Sequence, residues 1–175
     1  ISKIVMNLTV IPLTSEKKVS KFCFFDELKK IIHNSKVTMK EGDVLVISSK
    51  LISNSQGRIL NIEKSKVCEK ARKIAEKFNA NEQFMEIVYR ESDRIVGGVT
   101  GFAMATTNGI LAPNAGIDKS NSKGTKIILY PNEPYKFAEE LKRKIFLELN
   151  LHVGIIIVDS RLMPARIGTT GVAIA

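Results

Sequence analysis

Thr107-Asn108-Gly109-Ile110-Leu111-Ala112-Pro113-Asn114-Ala115-Gly116-Ile117-Asp118-Lys119-Ser120-Asn121 sets the terms for the rest of the chain. Pro113, two glycines and three asparagines exclude a regular helix across it. In places it is too apolar for a surface linker. Its middle, Asn114-Ala115-Gly116-Ile117-Asp118, sets small residues beside a carboxylate. Small residues let a ligand approach the backbone, and glycine admits φ > 0 there. Ser120 and Asn121 follow closely. A carboxylate, a hydroxyl and an amide this near one another suit a hard cation with phosphate oxygens. They equally suit a plain turn closed by an Asx cap.

The sequence has 175 residues, room for one large domain or two small ones. Hydrophobic residues make up 44% and charged residues 26%, the balance of a globular protein. The net charge of +9 points to anionic partners such as nucleotides or polyanionic small molecules. The lysines are spread over several segments, which argues against a nucleic-acid footprint. Cys23 and Cys68 are the only cysteines, with no CxxC spacing, so structural zinc is not expected. A reducing, cytoplasmic setting fits. Cys68 is expected in a helix as a buried or half-buried thiol. No apolar run reaches the roughly 20 residues that span a bilayer, so no membrane partner is expected. The chain opens on Ile1 and closes on the apolar run Gly171–Ala175, so more of the native protein is expected beyond it.

Working outward, Ile4–Val10 alternates like a strand and ends at the Ile11-Pro12-Leu13-Thr14 turn. Asp26–His33 reads as a helix that begins near Phe22, with Phe22, Phe25, Leu28, Ile31 and Ile32 on one face. Val44–Ser48 is a continuous apolar run of strand length, expected to be buried on both faces. It delivers a hydroxyl-rich loop from Ser48 to Arg58, flanked by Lys50 and Arg58, where phosphate contacts are often placed. Ile62–Phe78 reads as an amphipathic helix and Phe84–Tyr89 as a strand. Arg90–Arg94 is a charge-rich turn, and Ile95–Met104 is extended. Thr125–Tyr130 is a strand, followed by a helix from Pro134 to about Leu149. Gly154–Val158 is the clearest buried strand, and Asp159-Ser160 at its end forms a second candidate cation site. Further apolar strand character closes the tail.

The order of these motifs resembles the gamma-glutamyl ligases that add glutamate to the precursor of the 5-deazaflavin coenzyme F(420), the CofE type. The resemblance runs from about Leu8 to Ile174. Ala112–Asn121 looks like the family's A-N-A-G-I-D-x-S-N signature. The Gly42–Arg58 segment, Arg90-Glu91-Ser92, Asp159-Ser160, Pro164, Arg166, Gly168 and Val172-Ala173-Ile174 follow in order.

The resemblance implies an α+β fold of mixed and antiparallel sheets with packed helices, in one ligase region over residues 1–175 that lacks a C-terminal segment. It implies an intertwined homodimer. It also implies an amide-forming ligase that uses GTP and Mg²⁺ or Mn²⁺, with K⁺ as a further candidate. By the same analogy Asp118, Asp159 and Ser160 would hold metal. Asn121, Ser49, Lys50 and the turn Ile11, Pro12, Leu13 and Thr14 would contact the nucleotide. The small-molecule partners would be the deazaflavin precursor, L-glutamate and GTP.

Two segments depart from the family's usual pattern. Asn54 and Gln56 stand where a lysine and a glutamate are usual, and Met163 and Ala165 stand in a segment that elsewhere carries an arginine and an aromatic residue. These departures leave open a relative that ligates another carboxylate. The net charge leaves open a non-catalytic nucleotide- or RNA-binding module.

Overall fold

A computed structural model describes residues 8–16, 21–119, 125–162 and 165–175. Its α+β architecture has two apolar cores. The first lies under the mixed sheet β1-β7-β8. Strand β1 (Val44–Ser48) runs parallel to β7 (Gly154–Leu162), in register from Val44 opposite Gly154 to Ser48 opposite Val158. Strand β8 (Thr169–Ala173) pairs antiparallel on the other side of β7. Helices α1 (Phe24–Ser35), α2 (Ser49–Ser55) and α5 (Pro134–Leu149) accompany this sheet. Phe24, Phe25, Leu28, Ile47, Ile52, Leu141, Ile145 and Ile157 fill the space between them. Phe24 meets Phe137 edge to face at 5.1 Å, the offset that ring quadrupoles favour.

The second core joins helices α3 (Glu69–Lys77) and α4 (Glu82–Glu91) to the antiparallel sheet β3-β4-β5. Its strands are Arg94–Val99, Phe102–Thr107 and Ile110–Pro113. Ala75, Phe78, Phe84, Met85, Val88, Ala103 and Ala105 are among its members. The alanines at 103 and 105 keep the sheet close beneath the helices. A short antiparallel ribbon, β2 (Ile59–Asn61) with β6 (Lys126–Ile128), links the two halves. Just beyond β6 the chain passes from one core to the other, with Ile127 and Leu129 in the second and Tyr130 in the first.

Several sequence-based expectations are corrected. Phe84–Tyr89 is helical, because Asn81 caps the segment by accepting from the Phe84 amide at 2.8 Å. A short apolar run does not distinguish a buried helix from a strand; here Phe84, Met85, Ile87 and Val88 are buried in the second core. The helix foreseen from Ile62 begins only at Glu69. A 3₁₀ turn (Ile62–Lys64) precedes it, and the Cys68 side chain accepts from the Ala71 amide. Cys68 is therefore an exposed helix cap and not a buried thiol. The hydroxyl-rich loop after β1 is mostly helix α2. Val44 and Val46 are exposed, so β1 buries one face alone. Strand β7 continues past Asp159-Ser160 to Leu162. Leu8–Val10 form no strand, and Ile4–Asn7 lie outside the described residues.

Candidate functional site

A cavity of about 460 Å³ opens where the two halves meet, a volume within the range of small-molecule sites. Four pieces of chain wall it. Ser48, Ser49, Lys50 and Ser53 come from the β1–α2 junction, and Asp159–Leu162 from β7. Pro113–Asp118 without Ala115 and Ile128–Pro131 form the other two, and Thr169 at the start of β8 adds a single residue.

The segment Asn114–Gly116 makes a single left-handed turn, with φ of 50° at Asn114, 54° at Ala115 and 70° at Gly116. The Asn114 carboxamide holds it by accepting from the Ala103 amide at 3.0 Å. Gly116 has a second reason to be glycine. A Cβ there would stand 2.5 Å from Tyr130 Cδ2. Beyond the turn, Asp118 forms a two-way backbone bridge with Ile128, its N–H donating at 2.9 Å and its carbonyl accepting at 3.0 Å. The turn and the bridge together aim the Asp118 carboxylate at the cavity, where it pairs with the Lys50 ammonium.

Asp159 arrives from β7. The Ser49 hydroxyl donates to Oδ1 at 3.2 Å, and Arg161 Nη2 lies 2.8 Å from Oδ2. Arg161 is buried, and its Nη1 donates to the Leu111 carbonyl at 2.8 Å, tying β7 to β5. Burial raises the Asp159 carboxyl above its ordinary value, against the opposing pull of Arg161 and Ser49. The Asp118 carboxylate adds to the rise, which places the two acids within electrostatic reach of each other. Burial likewise pushes the Tyr130 hydroxyl up to about 12.

Of the residues expected in the site, Ser49, Lys50, Asp118, Asp159 and Ser160 line this cavity together. Leu13 lines a neighbouring cavity of about 450 Å³, to which Ser48 and Lys50 also contribute. Ile11, Pro12 and Thr14 are exposed and belong to neither lining. Asn121 lies outside the described residues, as does Met163. Ser53, Tyr130 and Arg161 were not anticipated. Recognising α2 as a helix would have flagged Ser53, because it lies one turn after Ser49.

The departures at 54 and 56 stay away from the main cavity. Gln56 clamps the backbone of Asn132, donating to its carbonyl at 2.9 Å and accepting from its N–H at 2.8 Å. A glutamate could make only the second bond. Asn54 faces the neighbouring cavity. Immediately before β2, Arg58 pairs with Glu91 and donates to the Tyr130 carbonyl at 2.6 Å.

The donor set suits a hard divalent cation of the Mg²⁺ type. Such ions use one or two carboxylates and complete their shell with water and substrate phosphates. Asp118 and Asp159 supply the carboxylates, and Ser160 supplies a hydroxyl on the same lining. Among the described residues no cluster of three or more His, Cys, Asp or Glu side chains that could hold a metal ion occurs.

The family model described as F420-0:Gamma-glutamyl ligase matches residues 21–175. Among similar proteins is the Coenzyme F420:L-glutamate ligase of Methanopyrus kandleri, 31% identical over 168 residues, covering 95% of this chain and 65% of that protein. The protein of the same name from Archaeoglobus fulgidus is 34% identical over 149 residues, covering 85% and 59%. That of Methanocaldococcus jannaschii is 32% identical over 138 residues, covering 78% and 55%. The chain thus spans between 55% and 65% of the length of these relatives.

Proposed function

We propose that this chain, which belongs to the F420-0:gamma-glutamyl ligase family, forms part of an enzyme that joins L-glutamate to the deazaflavin coenzyme precursor using GTP. Three of its relatives carry names that pair the coenzyme with L-glutamate in a ligase. The observation that carries the reading is the convergence of Asp118, from the isolated bridge beside β6, and Asp159, from β7, on one cavity. The chain is one ligase region of a longer protein, and that protein works as a homodimer in the cytoplasm.

In the proposed reaction a carboxylate oxygen of the acid attacks the terminal phosphorus of GTP, and GDP leaves. The glutamate amine then attacks the acyl carbon, and inorganic phosphate leaves. A divalent ion held by Asp118, Asp159 and Ser160 would neutralise the triphosphate charge when bound. The chain's own groups prepare the ground. Lys50 neutralises Asp118 in the absence of ligand, and a flexible ammonium can turn from a carboxylate to a phosphate oxygen. Ser49 and Arg161 fix the rotamer of Asp159. The left-handed turn keeps side-chain bulk away from the cavity beside Tyr130. The position of Gln56, bonded to Asn132 and outside the main lining, favours the family's usual acid over a different one.

The test is GDP release by the intact protein with GTP, L-glutamate, the precursor and Mg²⁺ or Mn²⁺. Turnover is expected, and Asp118→Asn should weaken metal binding and slow the reaction at least a hundredfold. Absence of metal-linked GTP binding, with tight RNA binding that falls steeply with salt, would replace the reading.

A further inference from the structure

Three donors on the cavity wall lack an acceptor. The Ser53 hydroxyl, the Tyr130 hydroxyl and Arg161 Nε are buried without hydrogen-bond partners. Their residues are 1%, 2% and 6% exposed, and all three line the cavity. Ser53 follows Ser49 by one turn of α2, so the two hydroxyls share a helix face, and Ser49 meets Asp159. The Tyr130 hydroxyl oxygen is within hydrogen-bonding reach of the Arg161 guanidinium and can accept from it, which leaves the hydroxyl proton without an acceptor. The three donors therefore flank the Asp159 side of the cavity.

Buried polar groups are nearly always satisfied, and leaving them unmatched costs stability. Acceptors on this wall are already engaged, and the unpartnered Asn54 Oδ1 lines the neighbouring cavity instead. Asp159 Oδ1 takes the Ser49 proton and Oδ2 faces Arg161 Nη2. The Leu111 carbonyl takes Arg161 Nη1, and the Tyr130 carbonyl takes Arg58. What the set lacks is an anionic acceptor for its protons. All three groups can donate, and the nearest charge among them is a guanidinium.

We propose that Ser53, Tyr130 and Arg161 form an oxyanion recess that receives an oxygen of a substrate carboxylate or phosphoryl group. The recess stands on the unmatched donors alone; only the choice between those two sources rests on the proposed ligase reaction. A carboxylate would arrive with the acid or with glutamate, a phosphoryl oxygen with the nucleotide. Either would let the guanidinium fork and a hydroxyl bond the anion together, the arrangement that charge-assisted recognition favours.

Tyr130→Phe and Ser53→Ala each remove one hydroxyl and little else. If the hydroxyls wait for a ligand, neither change should lower Tm, because an unmatched buried donor is lost. Each variant of the intact protein is titrated calorimetrically against L-glutamate, against the precursor acid, and against a non-hydrolysable GTP analogue with Mg²⁺. A loss of affinity of about tenfold or more in at least one arm is expected, as for a hydrogen bond to a charged group. The arm affected identifies the source of the oxygen. Unchanged affinities in every arm would overturn the recess and leave the donors to a buried water. A fall in Tm of several degrees in both variants would also overturn it, since the hydroxyls would then have internal partners. A wild-type protein that shows this binding pattern but no turnover would count against the proposed reaction and leave the recess standing.

Discussion

Replacing Gly116 with alanine tests the turn that carries Asp118 to the cavity. Two costs combine there. The first is conformational, because φ is 70° at this residue and a side chain in the left-handed region costs roughly 1–2 kcal/mol. The second is steric. The new Cβ would lie 2.5 Å from Tyr130 Cδ2 and 3.2 Å from Cε2, so the ring or the turn must move. Overpacking of this kind costs about 1–3 kcal/mol. Together they predict a loss of about 2–5 kcal/mol.

Gly109→Ala separates the two costs. Gly109 has φ of 72° in the β4–β5 hairpin turn, but nothing lies within 4 Å of its would-be Cβ. Its loss should stay near 1–2 kcal/mol. Urea unfolding of both variants and the wild type, analysed with a shared slope, gives the two differences. The Gly116 variant should unfold at clearly lower urea, and its metal-linked affinity for the GTP analogue should fall because the turn that carries Asp118 is displaced. Equal losses in the two variants would show that the close approach to Tyr130 does not hold the turn, and the account of the site's construction would fail.

Glu91→Gln should cost about 1–3 kcal/mol in urea unfolding, because it weakens a half-buried charge-assisted bond to Arg58 that also steadies the Tyr130 carbonyl; a neutral result would assign that pair no structural weight. Gln56→Glu should lose about 1 kcal/mol of stability by deleting the bond to the Asn132 carbonyl, with metal-linked nucleotide affinity retained, since residue 56 is outside the main lining. Glu86 is buried, and its carboxyl is held below the ordinary 4.5, first by the Cys68 N–H and also by Arg90. A lowered folded value means that this stabilisation is complete above the unfolded value and is lost as pH falls through the folded one. Acid unfolding followed by circular dichroism should therefore show a shallower dependence below about pH 4.5 for Glu86→Gln than for the wild type.

The carriers of chemistry were easier to find from sequence than the elements that present them. Asp118 and Asp159 stand out because each carboxylate adjoins a short apolar segment and a hydroxyl residue. Ser160 and the Ser48–Arg58 segment with Lys50 were visible in the same way, and the resemblance to a family then gave Ser49, Lys50 and Ser160 their expected roles. The helix at 82–91 escaped because Phe84-Met85 and Ile87-Val88 give two apolar pairs that fit either secondary structure. Only the Asn81 cap, a local feature, decides it. The one-sided burial of β1 was hidden for a different reason. An apolar run announces that a strand can be covered on both faces, and whether it is covered depends on elements elsewhere in the chain. Arg161 and Tyr130 carried no signal of their own. Their importance arises from the meeting of β7, β5 and the chain after β6, which is a property of topology.

The parallel register of β1 with β7 also has a bearing on how the molecule is made. Ser49 and Asp159, 110 positions apart, share a hydrogen bond that neighbouring parallel strands make possible. Closing so long a loop is entropically slow, and its rewards come only when the partner strand arrives. A nascent chain leaving the ribosome would hold Lys50 and Asp118 well before Asp159 emerges. Competence to grip a nucleotide should then appear late in refolding, after the α3–α4 half has already gained its protected amides.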